Sequence, residues 1–168
     1  MLERLWSGWR AAYVGSATDR TDPDPGEGSV FTQILGSGES DEATHILYRG
    51  ELVFAILNIH PYTSGHLLVL PYREVADLVD LTPEETAELW AIVADGVTAV
   101  RSAYEPDGLN VGLNLGRPAG GSVPSHLHVH VVPRWTGDSN FLSAIANTQT
   151  LPESLDATAA RWRAAWPS

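Results

Sequence analysis

The sequence predicts an α+β domain, a mostly antiparallel sheet carrying one long helix and lesser helices. Three observations point there. Short apolar runs, "HILYRGELVFAILNI", "GHLLVLPY", "GLNVGLNLG" and "HLHVHVV", are bounded by Gly, Pro and Asn, as strands are. The stretch from Leu81 to Tyr104 carries apolar residues at helical spacing behind a capping signal. No internal repeat divides the chain, and its 168 residues fit one domain able to close a hydrophobic core.

Taken in order, residues 2–14 place Leu2, Leu5, Trp6, Trp9 and Tyr13 near helical spacing and predict a short helix. Gly15 to Ser29, "GSATDRTDPDPGEGS", is rich in Pro, Gly and Asp and reads as a flexible loop. Residues 1–28 are thus an N-terminal helix and loop, and residues 29–168 the domain proper, whose compact body begins near Val30. Two strands over residues 45–59 are joined tightly at Arg49–Gly50. A third, residues 65–72, is stopped by Pro71. In the long helix Thr82 is placed to N-cap, Pro83 takes the first helical position and Glu85 completes a capping box. Leu89, Ile92, Val93, Val97 and Val100 form its apolar stripe. Two more strands, "GLNVGLNLG" and "HLHVHVV", flank the loop "RPAGGSVPS", and Leu155 to Trp166 predicts a terminal helix.

Composition excludes several classes of function. Ten Lys and Arg against twenty-one Asp and Glu give a formal charge of −11. That leaves no basic footprint to displace counterions from nucleic acid. One pocket can still be locally positive, from backbone N–H groups, imidazolium and a few arginines. The longest clean apolar run, Leu52 to Leu57, is far shorter than the roughly 20 residues a membrane helix needs. The N-terminus has charges at Glu3, Arg4 and Arg10 and no signal-peptide core. The chain has no cysteine, which removes disulfides and thiolate metal ligation. A cytoplasmic location is the expectation.

Three of the six histidines fall at His126, His128 and His130. Side chains alternate across a strand, so these share one face, and Leu127, Val129 and Val131 the other. The strand is expected to end at Pro133. A solvated face is one reading, although such faces normally use Thr, Lys, Glu or Ser. A metal site is another. Same-face neighbours lie about 6.6 Å apart and the outer pair about 13 Å, while zinc–nitrogen bonds span about 2.0–2.1 Å. Two of the three could chelate, but three converge only on a sharply bent strand. The third reading is nucleophilic catalysis. A neutral imidazole attacks phosphorus once its tautomer is fixed by an acceptor on the other nitrogen. The central His128 is then the nucleophile, and His126 and His130 donate to phosphoryl oxygens or protonate a leaving group.

Upstream, Gly112, Gly116, Gly120, Gly121, Ser122 and Ser125 precede the His strand, and glycine lets backbone N–H groups approach a phosphate. "GRPAGGS" has the glycine spacing of a P-loop but lacks its lysine. Neither a G-x-G-x-x-G nor a G-x-S-x-G motif occurs.

His126-Leu-His128-Val-His130-Val-Val resembles the signature of the histidine triad (HIT) superfamily, His-φ-His-φ-His-φ-φ with φ apolar. "NIHPYTSGHLLVLPYREV" resembles that family's upstream strand pair, and "LNVGLNLGRPAGGSVPSH" its loop before the triad. The resemblance covers roughly residues 29 to 135. It implies a HIT-like fold with a five-stranded antiparallel sheet, a homodimer, and chemistry at the α-phosphate of a nucleotide without a cofactor. By position, His128 matches the nucleophile, His126 and His130 its flanking members, and His66 an additional histidine near the phosphates. Asn58 matches a ribose-side position; Asn114, Gly121 and Ser122 match phosphate-side positions.

"PRWTGDSNF" and "RLWSGWRAAY" resemble the actinobacterial branch that cleaves diadenosine tetraphosphate with inorganic phosphate. The implied partners are therefore a dinucleotide and phosphate. Neighbouring branches hydrolyse dinucleoside polyphosphates or nucleoside phosphoramidates. Arg134 is a candidate phosphate contact or a surface charge, and Trp135 a packing residue. In one respect the chain departs from many bacterial relatives. They carry Cys-x-x-Cys, which binds a structural zinc with histidines, where this chain has Ser29-Val-Phe-Thr32. No structural zinc is expected here. His45 and His60 are expected to be ordinary hydrogen-bonded or exposed histidines.

Overall fold

The computed structural model describes residues 28–138 and 153–167. The helix expected over residues 2–14, and the loop as far as residue 27, lie outside the described residues. Within them the elements run α1 (Val30–Gly36), α2 (Asp41–Thr44), β1 (Ile46–Arg49), β2 (Val53–Leu57), β3 (Leu67–Pro71), α3 (Pro83–Tyr104), β4 (Gly108–Leu113), β5 (Val129–Arg134) and α4 (Leu155–Ala165). Short 3-10 turns precede α3 at Leu78–Asp80 and follow β4 at Arg117–Ala119. The five strands form one antiparallel sheet in the order β1-β2-β3-β5-β4. This is the predicted α+β architecture.

Strand alternation divides the core in two. Val53, Ala55 and Leu57, with Leu67, Val69, Val129 and Val131, face α3 and meet Leu89, Ile92, Val93 and Val100. Phe54, Ile56, Leu68 and Leu70 face the other way and are covered by Phe31, Ile34 and Leu35 of α1. Every residue of β2 and β3 is buried because both faces are roofed. Each such aliphatic side chain stabilises the fold by roughly 1.5–3 kcal/mol relative to exposure.

The capping box forms as expected. Thr82 Oγ1 accepts from the Glu85 N–H (3.1 Å), and a Glu85 carboxylate oxygen accepts from the Thr82 N–H (2.8 Å). Glu85 is itself buried and held by the Arg73 guanidinium through two bonds of 2.9 and 2.6 Å. From the same helix Glu88 accepts the N–H groups of Glu51 (2.7 Å) and Leu52 (3.0 Å). This braces the β1–β2 turn, which spans Gly50 to Leu52 rather than Arg49–Gly50 alone. The terminal helix is present, with Trp162 fully buried and Trp166 stacked on Tyr48.

Two expectations about the His strand are corrected. β5 begins at Val129, so His126, Leu127 and His128 precede the ladder. The reason is a different backbone partner, the Leu127 N–H donating to Val75 O at 2.7 Å. Nor does Pro133 end the strand, which continues to Arg134. The Pro133 carbonyl accepts from Thr63 Oγ1 (2.8 Å) on the side where β3 has not yet begun, so its missing N–H costs no ladder bond. Also unforeseen is α1. Val30, Phe31, Ile34 and Leu35 are the apolar pattern that could have marked it, with Ser29 as N-cap.

Candidate active site

The site forms where β3 and β5 adjoin. Leu68 pairs with His130 and Leu67 with Val131, so His66, just before β3, is carried next to the histidine row. Gly112 and Leu113 pair with His130 and Val129, so the chain leaves β4 at Asn114 level with His128. The rings form a continuous series. His128 and His130 lie 4.9 Å apart between centroids, and His130 and His66 5.1 Å. Phe31 sets its ring against both His126 (5.5 Å) and His128 (5.4 Å). Tyr62 covers the far end, 4.7 Å from His66 and stacked 6.0 Å from His130.

Hydrogen-bond partners fix the tautomers. The Pro71 carbonyl can only accept, so His126 Nε2 carries the proton it donates there (2.8 Å). His126 Nδ1 is then a lone pair, and Ser29 Oγ–H donates to it at 2.6 Å. His128 Nδ1–H donates to the His126 carbonyl (2.8 Å), which leaves the Nε2 lone pair of His128 as its nucleophilic position. His66 Nδ1 accepts from the Tyr62 N–H (3.1 Å), so its Nε2–H donates to His130 Nδ1 (2.9 Å). His130 Nε2 must then bear a proton, and this buried N–H has no hydrogen-bond partner.

Burial pushes all four rings toward the neutral form. It holds His66 down to about 3, helped by the neighbouring His130 and His128, and His130 to about 4, helped by His128. His126 and His128 are also lowered by burial, against the opposing hydrogen bonds at Pro71 and at the His126 carbonyl. The site therefore offers neutral imidazoles, one with a lone pair on Nε2 and one with an unused N–H.

The structure brings His128, His130 and His66 together, the first two through the alternation of the row and His66 across 64 residues of sequence. His126 is adjacent but fully buried, and both its ring nitrogens are engaged by the protein. This corrects the part expected of it, since it has no N–H left to offer a phosphoryl oxygen. Asn58 sits at the mouth of the β2–β3 connection, its Nδ2 3.4 Å from His66 Nδ1 and its Oδ1 accepting from the His60 N–H (2.9 Å). Asn114 lies under the loop, against Gly120. The Gly121 N–H donates to Gly116 O (3.3 Å), so it is turned into the loop, and Ser122 is exposed.

Arg134 is bound through Nε and Nη2 to Asp138 (2.6 and 2.8 Å) and through Nη1 to Asn110 (2.9 Å), a structural role. His45 bonds Asp156 (3.1 Å), and His60 is exposed. Ser29, Phe31, Tyr62 and Glu74 were not foreseen at the site. They come from two stretches, Ser29–Thr32 and residues 58–75, and no local spacing within either singles them out. Among the described residues no group of three or more His, Cys, Asp or Glu is disposed to hold a metal, and no helix is long and apolar enough to cross a membrane.

The HIT domain profile matches residues 39–137. The chain is 46% identical over 156 residues to the AP-4-A phosphorylase of Mycobacterium tuberculosis, spanning 92% of this chain and 79% of that protein. It is 37% identical over 95 residues to the asymmetrical bis(5'-nucleosyl)-tetraphosphatase of Schizosaccharomyces pombe, covering 56% of this chain and 52% of that one. Among solved structures, a zinc-bound histidine triad family protein from Mycobacterium smegmatis superposes with a TM-score of 0.66 at 32% identity, covering 82% of this chain and 91% of that one. A five-stranded antiparallel sheet, a row of neutral histidines at its centre and these likenesses agree: the chain belongs to the HIT family of nucleotide-processing enzymes.

Proposed function

We propose that the chain transfers a nucleotidyl group from a dinucleoside polyphosphate to inorganic phosphate, as a diadenosine tetraphosphate phosphorylase. The observation that carries this reading is the pairing of His128 and His130. One ring has its Nε2 lone pair set by the His126 carbonyl; the next has a buried Nε2–H with no protein partner. A lone pair beside an unused donor suits attack on phosphorus with a proton delivered to an oxygen.

In the first step His128 Nε2 attacks the α-phosphorus. The bond from that phosphorus to the bridging oxygen breaks, ATP leaves, and an adenylyl-His128 intermediate forms. In the second, an oxygen of phosphate attacks the same phosphorus, the P–N bond breaks, and ADP is released. His130 Nε2–H, kept a donor by His66, stabilises charge on the phosphoryl or leaving oxygen. Asn58 serves the ribose side, and Asn114, Gly121 and Ser122 the phosphate side. In that role the Gly121 N–H exchanges its bond to Gly116 for one to the anion. Likeness to the Mycobacterium tuberculosis phosphorylase favours phosphate over water as acceptor. β4 is the last strand of the sheet, and its edge away from β5 is unpaired among the described residues, which supports a homodimer built on this edge.

The test is product analysis of diadenosine tetraphosphate with and without phosphate, on wild type and His128→Ala. ADP formed only with phosphate supports the phosphorylase. AMP plus ATP in either condition shows water to be the acceptor. The variant is expected to lose at least about a thousandfold in kcat and to form no acid-labile nucleotidyl adduct. Turnover near wild type would remove His128 as nucleophile.

A further inference from the structure

Ser29 and Thr32, which the family resemblance sets against a zinc-binding Cys-x-x-Cys of many bacterial relatives, do not suit zinc. They offer hydroxyls rather than thiolates, and the nearby His126 has both ring nitrogens engaged, by Ser29 and by Pro71. What they form instead is closed and specific. Ser29 Oγ donates to His126 Nδ1 and accepts from the Thr32 N–H (3.2 Å). The Ser29 N–H (2.7 Å) and the Thr32 hydroxyl (2.9 Å) both donate to one carboxylate oxygen of Glu74. These bonds hold Glu74 in its charged form, with Ser125 contributing, against the opposing effect of burial.

Glu74 lies just past β3, on the segment whose Val75 carbonyl accepts from the Leu127 N–H. Space here is tight: a side chain at Gly28, where φ is +67°, would meet Thr32 at 3.0 Å and Glu74 at 3.2 Å. Phe31, between Ser29 and Thr32, sets its ring edge-on to His126 and against His128.

We propose that Ser29, Thr32 and Glu74 are positioning residues, a metal-free clamp that ties the start of α1 to His126 and, through the His126 carbonyl, fixes the ring of His128. The clamp works as a relay of fixed acceptors and donors. Glu74 orients Ser29 and Thr32. Ser29 and Pro71 together hold the His126 ring, and thus its backbone. That backbone carbonyl then accepts the Nδ1–H of His128 and keeps its lone pair on Nε2. Loosening the first link lets the last ring sample the other tautomer, in which Nε2 is protonated and cannot attack.

Only the kinetic consequence rests on the proposed nucleotidyl transfer; two other readouts need no substrate. In the first, long-range 1H–15N spectra report the His128 tautomer. Wild type and Ser29→Thr are expected to show a single Nδ1–H form, and Ser29→Ala a mixture. In the second, Ser29→Cys/Thr32→Cys adds two thiolates beside Glu74 and the Nδ1 lone pair of His126, which Ser29 no longer occupies. It is expected to bind about one zinc per chain, read by metal analysis and by the thiolate-to-Co(II) absorption band, where wild type incubated identically binds none. In turnover, Ser29→Ala is expected to lose about tenfold in kcat, the scale of one buried hydrogen bond, with KM within about twofold and recovery in Ser29→Thr.

An unchanged His128 tautomer in Ser29→Ala, or a double-cysteine variant that takes up no zinc, overturns the clamp. If both hold while wild type transfers no nucleotidyl group, the clamp stands and the reading of function is what fails.

Discussion

His66 Nε2 lies 2.9 Å from His130 Nδ1, and the bond between them determines what each ring has left to offer. His66 has already accepted the Tyr62 N–H on its other nitrogen, so it can only donate. His130 can then only accept at Nδ1, which forces a proton onto its unpartnered Nε2. A backbone amide two residues away from Ser64 in the β2–β3 connection thus sets the donor at the centre of the site.

Replacing His66 by Ala removes that instruction. The expected result is a fall in kcat of roughly tenfold to a hundredfold, as for loss of a preorganised donor's orientation. Gln, whose amide N–H reaches as Nε2–H does, is expected to recover most of it. Steady-state rates of His66→Ala and His66→Gln check this, and equal loss in both would argue that bulk, not donation, is what His66 supplies.

The same burial makes stability pH-dependent. His66 and His130 are held to about 3 and about 4 in the folded chain, against about 6.5 when unfolded. Below pH ~6.5 the unfolded state therefore binds more protons, and stability falls as pH drops from there toward 4. Urea midpoints of wild type and His66→Gln between pH 7 and 4.5 measure the difference. The variant lacks one such group, so its slope is expected to be shallower by up to about 1.4 kcal/mol per pH unit. Parallel curves would contradict a neutral, buried His66.

Arg134 is committed to Asp138 and Asn110. Arg134→Gln is expected to leave the dependence of rate on phosphate within about twofold and to cost at most about 1 kcal/mol, since its side chain is 42% exposed and the pair is screened by solvent. A large rise in the phosphate concentration needed for half-maximal rate would return Arg134 to the site.

Gly121 packs against the backbone it bonds. A Cβ there would lie 3.0 Å from Gly116 O and 3.4 Å from Asn114 O. Gly121→Ala is expected to push the loop outward and raise KM for dinucleotide severalfold, with Tm changed by less than about 2 °C because the loop tip carries no core residue. Calorimetry with initial-rate kinetics separates the two, and an unchanged KM would place the loop outside the binding surface.

The sequence by itself determined the alternation that puts Val129 and Val131 in the core and His130 opposite. It also determined the capping box at Thr82 and Glu85, because these depend on neighbours two to four residues apart and on backbone periodicity. The pairing of His66 with His130 spans 64 residues, that of Ser29 with His126 spans 97, and no local pattern encodes either. Only the tertiary structure decided that His126 is consumed by Ser29 and Pro71, that His130 keeps a free N–H, and that Arg134 is taken by Asp138. A ring nitrogen's role is set by whichever donor or acceptor folding brings within about 3 Å of it, and that partner is chosen by sheet order and helix packing rather than by residues nearby in the chain.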